Sequence, residues 1–250
     1  MKPARATAVT TALVATMAAL GACSSAGTET GDNQRVTVLA AASLAGVMPD
    51  LVEQAHQRHP GRTYEVSYAG SSQIVRQLGS GARADAVVLA GEGPLGTLEG
   101  DLDHSEPVIV ATNSLLIALA PGNPGGIERF EDLADDEITL VVCAEQVPCG
   151  QATQQVFDAA GLSPRVSSYE PDVRATLSKV TSGEADAAMV YVTDVEGRDL
   201  PTVPVPHGVD VLNRYPAFSV EGSRAGADFV AGLASSRSRD TLRDAGFGLP

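Results

Sequence analysis

Apolar and polar positions follow two alternating patterns along the chain, one typical of strands and one of helices. Short apolar runs such as Val36–Ala40 are followed by segments in which apolar residues recur every three or four positions. Leu44–Arg58 has this helical spacing, and Ser43 stands at its start as the predicted N-cap. A strand that leads into a helix N-terminus presents aligned N–H groups, which suit a small anion. The alternative for Ser43 is an ordinary strand–turn–helix unit without a ligand.

The same alternation continues to the end of the chain. Predicted strands are Val36–Ala40, Tyr64–Tyr68, Ala86–Ala90, Val108–Ala111, Leu115–Ala120, Ile138–Cys143, Val166–Tyr169, Ala187–Val192 and Thr202–Val205. Predicted helices are Leu44–Arg58, Ser72–Leu78, Gly150–Ala160, Asp172–Thr181, Ala225–Ser235 and Ser238–Ala245. This order predicts an α/β protein with parallel sheets and helices on both faces. We expect two lobes, residues 35–112 plus 212–250 and residues 113–211.

The N-terminus is typical of an export signal. Lys2 and Arg5 precede a mostly apolar or small-sided core, and the segment ends in small residues before Cys23. This ending resembles the cleavage box of bacterial lipoproteins. It implies a signal peptide over residues 1–22, a lipid on Cys23 and a flexible tether over residues 23–34, with the protein held on the extracytoplasmic face of the cell membrane. The alternative is simple secretion, in which Cys23 is lost or inert.

The charge excludes several classes of partner. The chain from residue 23 onward has 15 basic against 31 acidic residues, a net charge of −16. Such a chain is not expected to bind nucleic acid or an anionic lipid surface through its own charge. An anion would need a local site of oriented dipoles instead of general attraction.

The two remaining cysteines, Cys143 and Cys149, have five residues between them. In an exported protein a disulfide between them is favoured, although two free thiols remain possible. A metal site is disfavoured, because the four histidines are scattered along the sequence.

Five short motifs stand at predicted strand ends or helix starts. They are Ala40-Ala41-Ala42-Ser43-Leu44, Gly70-Ser71-Ser72, Val147-Pro148-Cys149-Gly150, Asp172-Val173-Arg174 and Val190-Tyr191. Ligands of open α/β sheets bind beyond the carboxyl ends of strands, so the five could meet in one cleft. Each motif alone is more often a helix cap or a core residue.

As an ordered set, these motifs resemble the periplasmic molybdate-binding proteins of ABC transporters, over nearly the whole chain from Arg35 to Pro250. The resemblance implies a periplasmic-binding-protein-like fold of type II, with two α/β lobes and a hinged ligand cleft. It implies a binding protein and not an enzyme, without a cofactor, that delivers molybdate or tungstate to permease and ATPase subunits. It also implies a monomer.

Carried over by position, the resemblance places the oxyanion ligands at Ser43 and Ser71 in the first lobe and at Cys149, Val173 and Tyr191 in the second. Hydroxyl and backbone N–H groups would supply the hydrogen bonds. Molybdate is a tetrahedral dianion without a proton near neutral pH, so it only accepts hydrogen bonds, and a set of neutral donors suits it.

Three alternatives remain from the residues. A binding protein for sulfate, thiosulfate or phosphate shares the fold, and cavity size decides among these anions. An exported hydrolase with Ser43 or Ser71 as nucleophile lacks both a Gly-x-Ser-x-Gly motif and a histidine in a suitable motif. The glycine-rich segment 91–96 matches a dinucleotide pattern, but Glu92 and Pro94 disfavour it.

Overall fold

The structure, a computed structural model, describes residues 34–98, 102–209 and 211–250. The predicted signal peptide over residues 1–22 lies outside the described residues, as do the proposed lipid-bearing Cys23 and the tether up to residue 33. Gln34, which we assigned to the tether, is the first residue of a strand. No helix within the described ranges is long and apolar enough to cross a membrane.

Ten strands and seven α-helices are formed by the described residues. The strands are β1 (Gln34–Ala41), β2 (Arg62–Ala69), β3 (Ala86–Val88), β4 (Val108–Asn113), β5 (Leu115–Leu119), β6 (Leu140–Cys143), β7 (Val166–Glu170), β8 (Ala187–Tyr191), β9 (Thr202–Pro204) and β10 (Asn213–Ser219). The helices are α1 (Met48–Arg58), α2 (Ser71–Gly79), α3 (Pro148–Ala160), α4 (Val173–Thr181), α5 (Val192–Val195), α6 (Arg224–Leu233) and α7 (Ser236–Asp244).

The strands form two five-stranded sheets, one in each lobe. The first has the order β2-β1-β3-β10-β4 and the second the order β7-β6-β8-β5-β9. Both sheets are mixed, because β10 runs antiparallel to β3 and β4, and β5 runs antiparallel to β8 and β9. The two-lobed α/β fold is therefore confirmed, whereas the prediction of parallel sheets holds only for part of each sheet, namely β1 with β2 and β3, and β6 with β7 and β8. The lobe boundaries remain our proposal, and the strand membership of the two sheets supports it.

The chain passes between the sheets twice. A single residue, Ser114, separates β4 of the first sheet from β5 of the second. After β9 the chain returns to the first sheet, where β10 begins at Asn213. Asn213 pairs in register with Asn113 at the end of β4. Both crossings therefore lie side by side.

Each sheet is packed on both faces. In β1, Val38 and Ala40 belong to one apolar cluster of the first lobe, and Leu39 belongs to the cluster on the opposite face. This is the period of two that a strand imposes on its side chains. A third cluster surrounds the second sheet, whose strand β8 is buried along its whole length.

The first helix begins later than its apolar pattern predicts. Residues Ala42–Leu44 form a short 3-10 helix, and α1 starts only at Met48 with Pro49 in its first turn. Proline lacks an N–H group and its ring excludes the carbonyl four residues earlier, so a helix cannot run through it from Leu44. The prediction that Ser43 caps this helix is wrong, because Val47 holds that position.

Helix α3 starts in close contact with the chain before it. A Cβ atom at Gly150 would lie 2.0 Å from the Ala144 carbonyl oxygen and 2.7 Å from that of Cys143. Only glycine allows this approach, which places the first turn of α3 directly against the end of β6.

We therefore expect Gly150→Ala to lower the free energy of unfolding by at least about 2 kcal/mol, because backbone atoms must move to admit the methyl group. Gly79→Ala is the control, since Gly79 also lies in a helix, as the last residue of α2, and has open space around it. It should stay within about 0.5 kcal/mol of the wild type or gain slightly. Urea unfolding measures both, and equal stability of the two variants would contradict the packing described.

Candidate anion-binding site

The five residues predicted as ligands line one small cavity between the two lobes. Its volume is about 20 Å³. The remaining lining residues are Ala41, Ala42, Gly70, Ala90, Val147, Pro148 and Asp172. Cavities for organic ligands measure some hundreds of Å³, whereas about 10–15 Å³ admits the centre of one water molecule. The space therefore fits a small ion and excludes a nucleotide or a sugar.

The first lobe contributes two buried serines that directly follow strand ends. Ser43 lies in the 3-10 helix after β1 and is 8% exposed, and its hydroxyl lies 2.9 Å from the phenol oxygen of Tyr215. Ser71 is the first residue of α2 and 1% exposed, and its Oγ accepts a hydrogen bond from the Ala90 N–H at 2.8 Å. The first N–H groups of α2 have no acceptor within their own helix.

The second lobe contributes the N-termini of two helices. Cys149 is the second residue of α3 and Val173 the first residue of α4, so their N–H groups lack acceptors within their helices. The Asp172 carboxylate caps α4 and accepts from the N–H groups of Arg174 and Ala175, at 2.9 and 3.0 Å. It leaves the Val173 N–H free of this capping interaction.

Tyr191 reaches the cavity from the carboxyl end of β8. The side chain is 1% exposed, and its phenol oxygen accepts a hydrogen bond from Asn213 Nδ2 at 2.8 Å. Burial raises the pKa of Tyr191 well above its ordinary value, and the neighbouring Tyr215 and Asp194 raise it further. The phenol is therefore protonated at neutral pH and can donate.

A disulfide joins Cys143 at the end of β6 to Cys149 in the first turn of α3. The bridge closes the loop that carries Val147 and Pro148 into the cavity wall. Cys143 Sγ also lies 3.4 Å from the Thr176 hydroxyl of α4. The bridge thus ties the backbone around the Cys149 N–H to the strand below it.

The two lobes touch each other around the cavity. Ser72 of α2 donates a hydrogen bond to the carbonyl of Gln146 in the second lobe. A Cβ atom at Gly70 would lie 2.7 Å from the Pro171 carbonyl oxygen, which shows how near the two backbones come. The structure therefore represents the closed arrangement of the lobes.

The residues that line this cavity include three with hydroxyl groups and neither lysine nor arginine. Three helix N-termini direct partial positive charge toward the space, which favours an anion. Asp172 is the one carboxyl-bearing residue of the wall, and sequence analysis did not expect it there. No group of three His, Cys, Asp or Glu side chains within the described ranges is placed to hold a metal ion.

The serines have partners other than histidine. Ser43 pairs with Tyr215 and Ser71 with the Ala90 N–H, whereas the His56 and His104 rings contact backbone carbonyls elsewhere. Among the hydrogen bonds of the described residues, neither serine therefore forms the Ser–His pair that activates a serine nucleophile.

A wider groove of about 540 Å³ adjoins the cavity at Ser43. Arg174, Arg198 and Asp194 lie on its wall, so cations and anions alternate there. Asp194 accepts the Tyr191 N–H at 3.0 Å. Burial raises its pKa to about 7, although that hydrogen bond and the two arginines lower it and Asp172 raises it.

Sequence reasoning missed three residues behind the cavity wall. Tyr215 and the hinge residues Asn113 and Asn213 are buried and contact the predicted ligands or one another. Two asparagines at the predicted lobe crossings were the available signal. Strand β10 itself was missed because Pro216 interrupts its pattern, and the structure has a register shift between Tyr215 and Pro216.

The sequence comparisons agree with this geometry. Residues 36–248 match the family described as bacterial extracellular solute-binding protein. The molybdate-binding protein ModA of Mycobacterium tuberculosis H37Rv is 34% identical over 251 residues, which cover 97% of this chain and 96% of that protein. The molybdate-binding protein ModA of Escherichia coli K12 is 28% identical and covers 79% of this chain and 81% of its own length.

Solved structures with low sequence identity share the fold. The periplasmic molybdate-binding protein of Azotobacter vinelandii has a TM-score of 0.75 at 19% identity, covering 86% of this chain and 99% of that chain. The sulfate-binding protein SubI of Mycobacterium tuberculosis H37Rv has a TM-score of 0.73 at 16% identity, covering 86% of both chains. These likenesses establish the architecture alone.

The raised pKa of Asp194 predicts a specific pH dependence of stability. Between its unfolded value near 3.8 and about 7, the folded state binds more protons than the unfolded state. The contribution of Asp194 to stability therefore falls as the pH rises through this window and is constant above it. The wild type should lose stability between pH 5 and pH 8 through this group, and we expect Asp194→Asn to make that loss smaller by about 2–3 kcal/mol.

Urea unfolding at both pH values measures this difference. Asp240→Asn, at an exposed carboxylate, controls for the removal of one negative charge. An identical pH dependence in wild type and Asp194→Asn would contradict the raised pKa.

Proposed function

The chain belongs to the bacterial extracellular solute-binding proteins, and from this we propose that it captures molybdate for import by an ABC transporter. Relatives named for molybdate binding, at 34% identity over nearly the full length, support this ligand. Binding and delivery, without a chemical reaction, are the activity that the family and the site support.

One observation carries the proposal. Residues from five separate motifs on the two lobes line one cavity of ionic size, and none of the five carries a charged side chain. We propose Ser43, Ser71, Cys149, Val173 and Tyr191 as the ligands, through hydroxyl groups, backbone N–H groups or both. Each hydrogen bond to a charged group contributes about 1.5–3 kcal/mol, so several together offset the loss of hydration.

Tungstate is proposed as a second ligand, because its size and charge are nearly those of molybdate. Sulfate is smaller, so in a cavity shaped for molybdate its oxygens would not reach all donors at once. Phosphate near neutral pH carries a proton, which needs an acceptor.

Proteins of this family act outside the cytoplasm. They work together with the permease and ATPase subunits of an ABC transporter. We further propose that the chain acts as a monomer and that a lipid on Cys23 holds it at the membrane surface. The lipoprotein-like sequence before Cys23 supports the anchor.

Calorimetry with the four anions tests the ligand. We expect submicromolar binding of molybdate and tungstate, with sulfate and phosphate at least about 100-fold weaker, a difference of about 3 kcal/mol. Equal or preferred binding of sulfate would overturn the assignment to molybdate and leave an oxyanion-binding protein of the same fold.

A tyrosine pair tests the site. Tyr191→Phe should weaken molybdate binding at least about ten-fold, because one hydrogen bond to the anion is lost. Tyr169→Phe is the matched control, since Tyr169 is 56% exposed and does not line the cavity. Titration calorimetry compares the two, and unchanged affinity in Tyr191→Phe would remove this residue from the ligand set.

A further inference from the structure

Each of the three hydroxyl groups at the cavity lies within hydrogen-bond distance of another group of the protein. Ser71 Oγ accepts from the Ala90 N–H at 2.8 Å, and Tyr191 Oη accepts from Asn213 Nδ2 at 2.8 Å. An N–H group can only donate, so the direction of both hydrogen bonds is set. The proton of each hydroxyl then remains available for another acceptor.

The third hydroxyl, Ser43, lies 2.9 Å from Tyr215 Oη, and either oxygen could donate. Asn113 favours one direction. Its Oδ1 accepts from the Ser114 N–H at 3.0 Å, so its Nδ2 faces the Thr193 hydroxyl at 2.7 Å and Tyr215 Oη at 3.5 Å. An amide donor at the Tyr215 oxygen favours the arrangement in which the phenol proton is directed to Ser43.

All the groups behind the hydroxyls are buried and held by the hinge. Asn113, Asn213 and Tyr215 are 3%, 7% and 0% exposed. Asn113 ends β4 and Asn213 begins β10, where the two residues pair in register. Burial also raises the pKa of Tyr215 above its ordinary value, so its phenol is protonated at neutral pH and can act as a hydrogen-bond donor.

We propose that Asn113, Asn213 and Tyr215 orient the Ser43 and Tyr191 hydroxyls as donors toward the cavity, so that the site selects fully deprotonated tetrahedral oxyanions. This inference rests on the proposed function of the same site. Asn213 acts on Tyr191 directly, and Asn113 acts on Ser43 through Tyr215. All three are positioning residues, because the cavity wall does not include them.

The consequence is discrimination by protonation state. An oxyanion without protons accepts from every hydroxyl, whereas hydrogen phosphate brings a P–OH group whose proton needs an acceptor. With one lone pair of each of the Ser43, Ser71 and Tyr191 oxygens engaged by a protein donor and each hydroxyl proton directed at the anion, these groups face the P–OH proton as donors and not as acceptors. An unmade hydrogen bond of this kind lowers affinity about ten-fold or more.

Asp172 is the competing source of selectivity, because its carboxylate also belongs to the cavity wall. Its Oδ1 already accepts two N–H groups of α4. Asn is as good a helix N-cap as Asp, so Asp172→Asn removes the carboxylate and retains the cap.

The test measures the dissociation constant for molybdate and the concentration of inorganic phosphate that displaces it at pH 7.5. Proteins compared are the wild type, Tyr215→Phe, Ser43→Ala, the Tyr215→Phe/Ser43→Ala double variant and Asp172→Asn. We expect Tyr215→Phe to weaken molybdate binding about ten-fold. We also expect it to lower the ratio of molybdate affinity to phosphate affinity, so that the preference for molybdate becomes smaller. In the Ser43→Ala background the same substitution should have no further effect, because Tyr215 acts through the Ser43 hydroxyl.

Tyr64→Phe is the control for loss of a phenol hydroxyl from the first lobe, since Tyr64 packs on Phe229 and does not line the cavity. Should Tyr215→Phe fail to fold, Asn213→Ala measured with and without Tyr191→Phe tests the other branch in the same way.

Equal losses in both backgrounds, an unchanged ratio, or a ratio that shifts only in Asp172→Asn would overturn the inference. Failure of the wild type to bind molybdate would instead overturn the proposed function.

Discussion

A dianion leaves water only where other donors replace its hydration, and this constraint governs the whole molecule. The chain is strongly acidic, and its cavity wall has no basic side chain to balance the ligand. Stabilisation must come from N–H and O–H groups that already point inward before the ion arrives. Each of the five proposed ligands stands at the start of a helix or the end of a strand, where the backbone provides such groups.

Rigidity of the backbone is the second requirement, because a donor that must be ordered on binding contributes less. The disulfide and the close packing at Gly150 hold the start of α3, and the Asp172 cap holds the start of α4. Gly70 permits the first lobe to approach the Pro171 carbonyl. Local features that look unrelated in sequence thus serve one purpose, the accurate placement of a few backbone groups.

Sequence alone predicted the two-lobed α/β fold and most elements, since these depend on the spacing of apolar residues along each strand and helix. Sequence alone did not predict the elements whose place depends on pairing between residues far apart in the chain. Strand β10 contains Pro216, and its antiparallel place between β3 and β4 has no local signature. The cavity residues came from a family resemblance, whereas Tyr215, Asn113 and Asn213 could be found only once the fold had brought distant segments together.

The single residue between β4 and β5 determines how the molecule can move. One residue spans at most about 3.6 Å, so the lobes cannot slide apart beside Ser114. The second crossing, at Asn213, lies beside the first. An opening of the cleft would therefore be a rotation about these paired crossings, and it would be widest at the points farthest from them.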